Sequence, residues 1–351
     1  MLEVTVRGSG IAAHCCAFLL NKAGVPLRLQ ETARAKLPAI MLNHSAIALI
    51  RDIFDRSGLL REAYPIRKRV VAWGTDSASR TFDHSAVVVS EESLLADIGR
   101  ASSKADGYKA PLQTDEWLIV ASPPLPDGCD EYRFGTQTAA VAQVDLAQDS
   151  ETGSCCVESV RDGWLFLIED GPRTGWLLAV GDLSDALLRQ SSITRIRIAL
   201  CHESGPRFTT YPRIAFPLHG SNWIACGNAA IGFDPICGDG TAYALREGIL
   251  TAAVLRAGMK DGTQLQDLLA HYQARLLAGF RKHLASCLDF YTRGGDGAWW
   301  KQQCDELRKG LEWCDGKLKG YSAFRYRLKG FELLRRSDSE IRASQMASGE
   351  R

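Results

Sequence analysis

Gly8-Ser9-Gly10-Ile11-Ala12-Ala13 is the stretch that decides the fold. It has the form GxGxxA and joins a strand-like run (Leu2, Val4, Val6) to a helical pattern from Ile11 to Lys22. Gly24 stops that helix, and Val25, Leu27 and Leu29 begin a second strand. In such a turn Gly8 permits the tight reversal, and Gly10 lets the backbone approach a pyrophosphate with no side chain between. Ala13 keeps helix and strand closely packed. The helix N-terminus offers free N–H groups and the positive end of its dipole to an anion. Glu31, 23 positions after Gly8, ends the second strand, where a carboxylate accepts hydrogen bonds from an adenosine ribose. Residues 2–31 therefore predict a dinucleotide-binding unit, although Glu3, Thr5 and Arg7 make its first strand more polar than buried parallel strands usually are. NAD and FAD share this unit, and it does not choose between them.

Working outward, Ala46 to Phe54 and Glu91 to Arg100 carry helical patterns. Arg69 to Trp73, Ala86 to Val89 and Trp117 to Val120 read as strands. From about 130 to 215 the chain is strand-rich, with Trp164–Ile168, Trp176–Val180 and Arg195–Leu200 as segments. It returns to strand-turn-helix at Trp223 to Arg256, and after about 265 it is helical and increasingly charged. A βαβ start, a β-rich excursion and a late return imply two domains woven from one chain. The expected division is a Rossmann-like α/β domain from 1–65, 85–124 and 205–265, a β-sheet substrate domain from 66–84 and 125–204, and a helical C-terminal region from 266–351.

The return segment, Cys226-Gly227-Asn228-Ala229-Ala230 followed by Asp234-Pro235-Ile236-Cys237-Gly238-Asp239-Gly240, is more specific than the first turn. It resembles the GDAA…P…GxG…A element of the flavoprotein monooxygenase superfamily, which includes aromatic hydroxylases, flavin halogenases and geranylgeranyl-type reductases. The resemblance implies an aromatic hydroxylase-like fold and FAD as the cofactor. It implies that the strand-end residue contacts the ribityl chain and that the glycine turn presents N–H groups to the flavin pyrimidine edge. Asn228 stands where Asp is usual, and it can still bond a ribityl hydroxyl. Negative charge at that edge would be stabilised by the helix beginning at Gly238-Asp239-Gly240, so the Asp239 carboxylate is expected to face solvent or cap the helix. The cofactor residues are then Gly8, Gly10, Ala13, Glu31, Asn228, Gly238, Asp239 and Gly240.

Asp162-Gly163-Trp164-Leu165-Phe166 resembles the "GW.W" strand of the halogenase branch, with Trp164 read as core. The superfamily's "DG" segment, which accompanies NAD(P)H use, is replaced by Val120-Ala121-Ser122-Pro123-Pro124. The Arg100–Trp117 connection is too short for the usual β-meander. Both features imply that a conventional NAD(P)H surface is missing. The halogenase WxWxIP motif is absent, and the lysine position of that branch falls on Arg69, four residues before Trp73. An arginine stays protonated and is a poor carrier of activated halogen.

Length and missing motifs make the chain most similar to the flavoproteins that mature cysteine tryptophylquinone-dependent lysine and glycine oxidases. That implies O2-dependent hydroxylation of a tryptophan side chain in a precursor quinoprotein. The alternatives are a small-molecule aromatic hydroxylase, a geranylgeranyl-type flavin reductase, or a non-catalytic flavin-bearing chaperone. Asp234 and Pro235 lie in the loop expected beside the flavin ring. His219 is a candidate base or relay, and Arg69 a candidate cavity residue. Trp299-Trp300 and the basic stretch from Arg325 to Arg336 are read as packing and as a solvated face.

The bulk properties restrict the remaining classes. The chain has 351 residues, 46% hydrophobic and 24% charged, with a net charge of +1. That balance gives no field for nucleic acid or an anionic membrane. No apolar run reaches the ~20 residues of a membrane span, and strand-like residues begin at Leu2, so a cytoplasmic protein without a signal peptide is expected. The eleven cysteines include Cys15-Cys16 and Cys155-Cys156 but no CxxC. Neither a metal site nor a disulfide framework is expected from them, and they read as small reduced core residues.

Overall fold

Val4 and Val6 are wholly excluded from solvent, because the strand they form lies inside a parallel sheet. The computed structural model describes residues 3–55, 58–74, 78–102, 116–148, 152–181, 184–260, 265–321, 324–337 and 339–340. The chain runs β1 (Val4–Arg7), α1 (Ile11–Lys22), β2 (Leu27–Gln30), β3 (Ile40–Asn43), α2 (His44–Phe54), β4 (Tyr64–Ala72), β5 (Arg80–Val89), α3 (Glu91–Ser102) and β6 (Trp117–Val120). A strand-rich middle follows: β7 (Asp130–Arg133), β8 (Thr138–Leu146), β9 (Ser154–Val160), β10 (Gly163–Glu169), β11 (Thr174–Gly181), α4 (Ser184–Gln190), β12 (Ile198–Cys201), β13 (Phe208–Thr209) and β14 (Arg213–Phe216). The last part is β15 (Trp223–Ala225), β16 (Ile231–Gly232), α5 (Gly240–Lys260), α6 (Leu265–Gly294), α7 (Ala298–Leu318), β17 (Tyr326–Lys329) and β18 (Glu332–Arg335).

The first sheet has the order β15-β6-β1-β2, every pair parallel. The polar residues that make β1 unusual are accommodated. The buried Thr5 hydroxyl donates to the buried Glu116 carboxylate, and Arg7 reaches the Pro124 carbonyl at the strand end. A nine-stranded sheet follows the path β12-β8-β11-β10-β9-β4-β5-β3, with β13 also on β8. Its pairs are antiparallel except β4 with β9. Side chains alternate between its two faces. Val70, Cys156, Leu165 and Leu167 point to one side and pack with Leu187 of α4. Trp164 and Val180 point to the other and join the main core. A three-stranded antiparallel sheet, β16-β14-β7, completes the middle region.

Helices close the molecule around these sheets. Gly248 of α5 lies against α1, where an added Cβ would come within 2.8 Å of the Ala12 carbonyl and 3.0 Å of Cys15 Cβ. Trp300 of α7 is fully buried and donates Nε1–H to the Val160 carbonyl at 3.0 Å. It packs edge-on against Trp73 and Trp299, so the two tryptophans are core anchors, as the packing reading expected. Truncating such a residue to alanine costs about 3–5 kcal/mol.

Two boundaries differ from the sequence reading. β3 and the whole of β5 pair into the large sheet, although residues 1–65 and 85–124 were grouped with the dinucleotide unit. Pairing geometry, not local pattern, decides which sheet a short strand joins. The C-terminal region is helical through Leu318 and then forms the hairpin β17–β18. The Arg100–Trp117 connection and the last residues fall largely outside the described residues. Among the described residues no helix is long and apolar enough to cross a membrane.

Candidate cofactor site at the strand ends

Because the four strands of the first sheet are parallel, their carboxyl ends stand side by side. Glu31 follows β2, Gly8 follows β1, Ala121 follows β6 and Gly227 follows β15 by two residues. The crevice outside such ends is where open α/β sheets bind ligands. Gly8 has φ +146°, and a Cβ there would stand 2.9 Å from both Ala121 Cβ and Ser122 Oγ. Gly227 has φ +56°, and its Cβ would come within 2.7 Å of Ala12 Cβ. The stretch where "DG" is absent is thus the floor under the first turn.

The mouth of α1 is built for an anion. Gly10 is its N-cap with no side chain capping it, and no acidic residue lies in its first turn. The space above Gly10 is open except for the Arg34 guanidinium, 3.6 Å from a notional Cβ. Glu91, 4% exposed, holds that guanidinium at two points, and Arg34 Nη2 also donates to the Ser9 carbonyl at 3.4 Å. Ala13 is fully buried in the first turn of α1, while Glu31 is exposed at the rim. The sequence reading missed Arg34 and Glu91, which are 57 residues apart. The only local signal is a basic residue just past the ribose carboxylate.

The second turn is braced from below. The Gly227 N–H donates to Glu247 Oε2 at 2.7 Å. Burial pushes the Glu247 carboxyl up to about 8, although that hydrogen bond favours the charged form. Asn228 is exposed beside it, and its carbonyl accepts from Arg213 at 2.8 Å. Gly238 takes φ +67°, and neither Gly238 nor Gly240 has any atom within 4 Å of a notional Cβ. Asp239 is half-buried, and its side chain accepts from Asn43 Nδ2 at 2.7 Å. Asn43 in turn caps α2 through its Oδ1 and the Ala46 N–H. The carboxylate is thereby drawn away from the helix mouth.

The remaining expected residues are not gathered at the open turn. Asp234 is 2% exposed. Its Oδ2 accepts from Tyr291 Oη at 2.7 Å and Gln137 Nε2 at 2.9 Å. Its Oδ1 accepts from the Ile236 N–H at 2.9 Å, and its own N–H donates to His283 Nε2 at 2.9 Å. Burial raises its carboxyl against these bonds. Asp234 therefore holds the loop and presents no free oxygen to a ligand, and Pro235 opens the short helical turn Pro235–Cys237. Trp164 donates to Tyr291 Oη at 3.3 Å and is core. His219 is bridged to Ile224 in the middle of β15 and is half-buried, with burial lowering its imidazole. Arg69 lies opposite Cys155 on the large sheet, beside His84, with a buried Nε that has no partner.

No protein-family model and no curated protein matches the chain. Solved structures do. The flavin-dependent halogenase CmlS superimposes with a TM-score of 0.74 at 15% identity, over 99% of this chain and 77% of its own. The peptidyl tryptophan dihydroxylase QhpG, essential for tryptophylquinone cofactor biogenesis, gives 0.67 at 19% identity, over 86% and 78%. A probable FAD-dependent monooxygenase from Pseudomonas aeruginosa, pqsL, gives 0.62 at 15% identity, over 90% and 99%. This chain has the fold shared by flavin-dependent halogenases and FAD-dependent monooxygenases.

Proposed function

We propose that the chain is an FAD-dependent monooxygenase whose substrate is a tryptophan side chain of a precursor quinoprotein, as in cysteine tryptophylquinone biogenesis. One observation carries the cofactor reading. The glycine turn after β1 and the glycine turn that opens α5 both leave open space, beside Arg34 at Gly10 and unfilled at Gly238 and Gly240. A single extended dinucleotide spanning both turns would account for that pair. Arg34 and the α1 N-terminus would hold the pyrophosphate, Glu31 the adenosine ribose, and Asn228 the ribityl chain. The backbone at Gly238 to Gly240 would meet the flavin ring edge.

Bound there, FAD supplies O2 activation and transfer of one oxygen atom. The chain's own residues do the rest. The α5 N-terminus, with no acid in its first turn, stabilises negative charge on the ring edge. Asp234 keeps the loop before that helix in one conformation. Phe166, Leu178 and Val71 are half-buried on the sheet face that also carries Arg69 and Trp164. They offer an apolar wall that excludes water and orients an aromatic ring. An arginine at position 69 does not offer the free amine of a halogen-carrying lysine, which disfavours halogenation. The likeness to QhpG supports a protein substrate over a small aromatic molecule.

The test has two stages. Flavin released from the purified chain by heat should be FAD by mass spectrometry, bound about one per chain. Co-expression with a precursor quinoprotein under isotopically labelled O2 should place labelled oxygen on a tryptophan of the precursor. A chain that takes up no FAD sinks the cofactor reading. Label on added small aromatics but never on a precursor sinks the substrate reading alone.

A further inference from the structure

Cys237 and Cys287 are 50 residues apart in sequence, yet their sulfurs lie 3.7 Å apart. Cys237 ends the turn Pro235–Cys237, directly before Gly238. Cys287 lies on α6, one helical turn after His283, whose Nε2 is 3.3 Å from its sulfur. These three form a close cluster of the kind that holds metal ions, but the imidazole argues against that use. Its Nε2 accepts the Asp234 N–H at 2.9 Å, which leaves the ring proton on Nδ1, a buried atom without a partner. No ring lone pair remains for an ion.

The two sulfurs are unlike. Cys287 is fully buried, and burial drives its thiol well up. Cys237 is half-buried beside the open space over Gly238. The hydrogen bond with Cys287 holds the Cys237 thiol below its ordinary value. Burial instead pushes up Cys129, Cys155, Cys156 and Cys314. The neighbours Cys155 and Cys156 face opposite sides of the sheet and belong to separate clusters, so they cannot pair. Cys237 combines access, activation and a second sulfur within reach.

We propose that Cys237 and Cys287 are a redox-active dithiol, with Cys237 the attacking and Cys287 the resolving thiol toward small disulfides of the glutathione class. The Cys237 thiolate attacks one sulfur of the small disulfide, breaking its S–S bond and releasing one thiol after protonation. Cys287 then loses its proton and attacks Cys237 Sγ in the mixed disulfide, releasing the second thiol. The protein dithiol loses two electrons and two protons, and the small disulfide gains them. The sulfurs close from 3.7 Å to about 2.0 Å. This chemistry uses the chain's own atoms and holds whether or not the flavin reading does.

The test is to incubate the full-length chain as purified with oxidised glutathione, alkylate remaining thiols under native conditions, and map the peptides. The expected result is a Cys237–Cys287 disulfide formed on the order of tenfold faster than modification of Cys129, reversed by reduced glutathione. Cys287→Ser should retain glutathione on Cys237, and Cys237→Ser should leave Cys287 unmodified. The wild-type map needs no variant, so a misfolded variant does not blur the outcome. An unreacted Cys237, a persistent mixed disulfide in the wild type, or a bond to another cysteine overturns the proposal. So does one zinc or copper ion per chain retained through gel filtration and protecting both thiols.

Discussion

The side chain of Glu247 and the backbone of Gly227 are joined by a 2.7 Å hydrogen bond in which the acid, on α5, braces the turn that ends β15. The acid is fully buried and titrates at about 8 when folded, against 4.5 ordinarily. A raised acid holds its proton in the folded state over a window where the unfolded chain has released it. Stability is therefore greatest near the ordinary value and falls as pH rises toward 8. The slope is at most about 1.4 kcal/mol per pH unit. Chemical denaturation from pH 5 to 9 should show this decline, and Glu247→Gln, which keeps an acceptor for Gly227, should flatten it. An unchanged slope in that variant would place the titrating group elsewhere.

Two glycine substitutions should separate folding from binding. Gly8→Ala meets both a left-handed backbone and contacts at 2.9 Å, and should cost about 1–3 kcal/mol of stability. An added Cβ at Gly240 has no neighbouring atom within 4 Å, so the melting temperature of Gly240→Val should stay near wild type while FAD content falls. Equal FAD retention in Gly240→Val would remove the flavin from that turn.

Arg34→Met should weaken FAD binding by ten- to a hundredfold, the worth of roughly 1.5–3 kcal/mol for a hydrogen bond to a charged group. Fluorescence titration of the apoprotein measures it. Glu91 also accepts the Leu37 N–H at 2.9 Å, so it keeps one partner and the fold should survive. Arg34→Lys should recover only part of the affinity, since it loses the two-point bond to Glu91.

Tyr291→Phe deletes the hydroxyl that donates to Asp234 and accepts from Trp164. The loss should be about 1–3 kcal/mol, seen as a lower denaturation midpoint with unchanged slope. A variant as stable as wild type would mean that Asp234 finds its stabilisation from Gln137 and the Ile236 N–H alone.

What was legible in the sequence was local. Gly8, Gly10 and Ala13 sit within one turn, and their backbone tasks follow from residue size. Gly238 and Gly240 were read the same way, through a dense motif; Gly238 takes φ +67°, and an added Cβ at either has nothing within 4 Å. What was not legible depends on long-range closure. Asp234 meets Gln137 across 97 residues and Tyr291 across 57, and no spacing rule links them. Its loop position suggested a place beside the flavin ring, whereas tertiary packing buried its side chain. Arg34 and Glu91 were hidden for the same reason, as was the pairing of Cys237 with Cys287. Only His283 and Cys287, four apart on one helix face, carried a hint.

The contact of Gly248 with the Ala12 carbonyl has a consequence for ligand size. It fixes how far apart the two turns stand, because α1 leaves one and α5 leaves the other. The helix pair works as a caliper, gauging the length of the molecule laid between its jaws. A larger residue at 248 would spread the jaws without touching the ligand. Its signature would be a changed preference between FAD and the shorter FMN, measured as the ratio of their affinities.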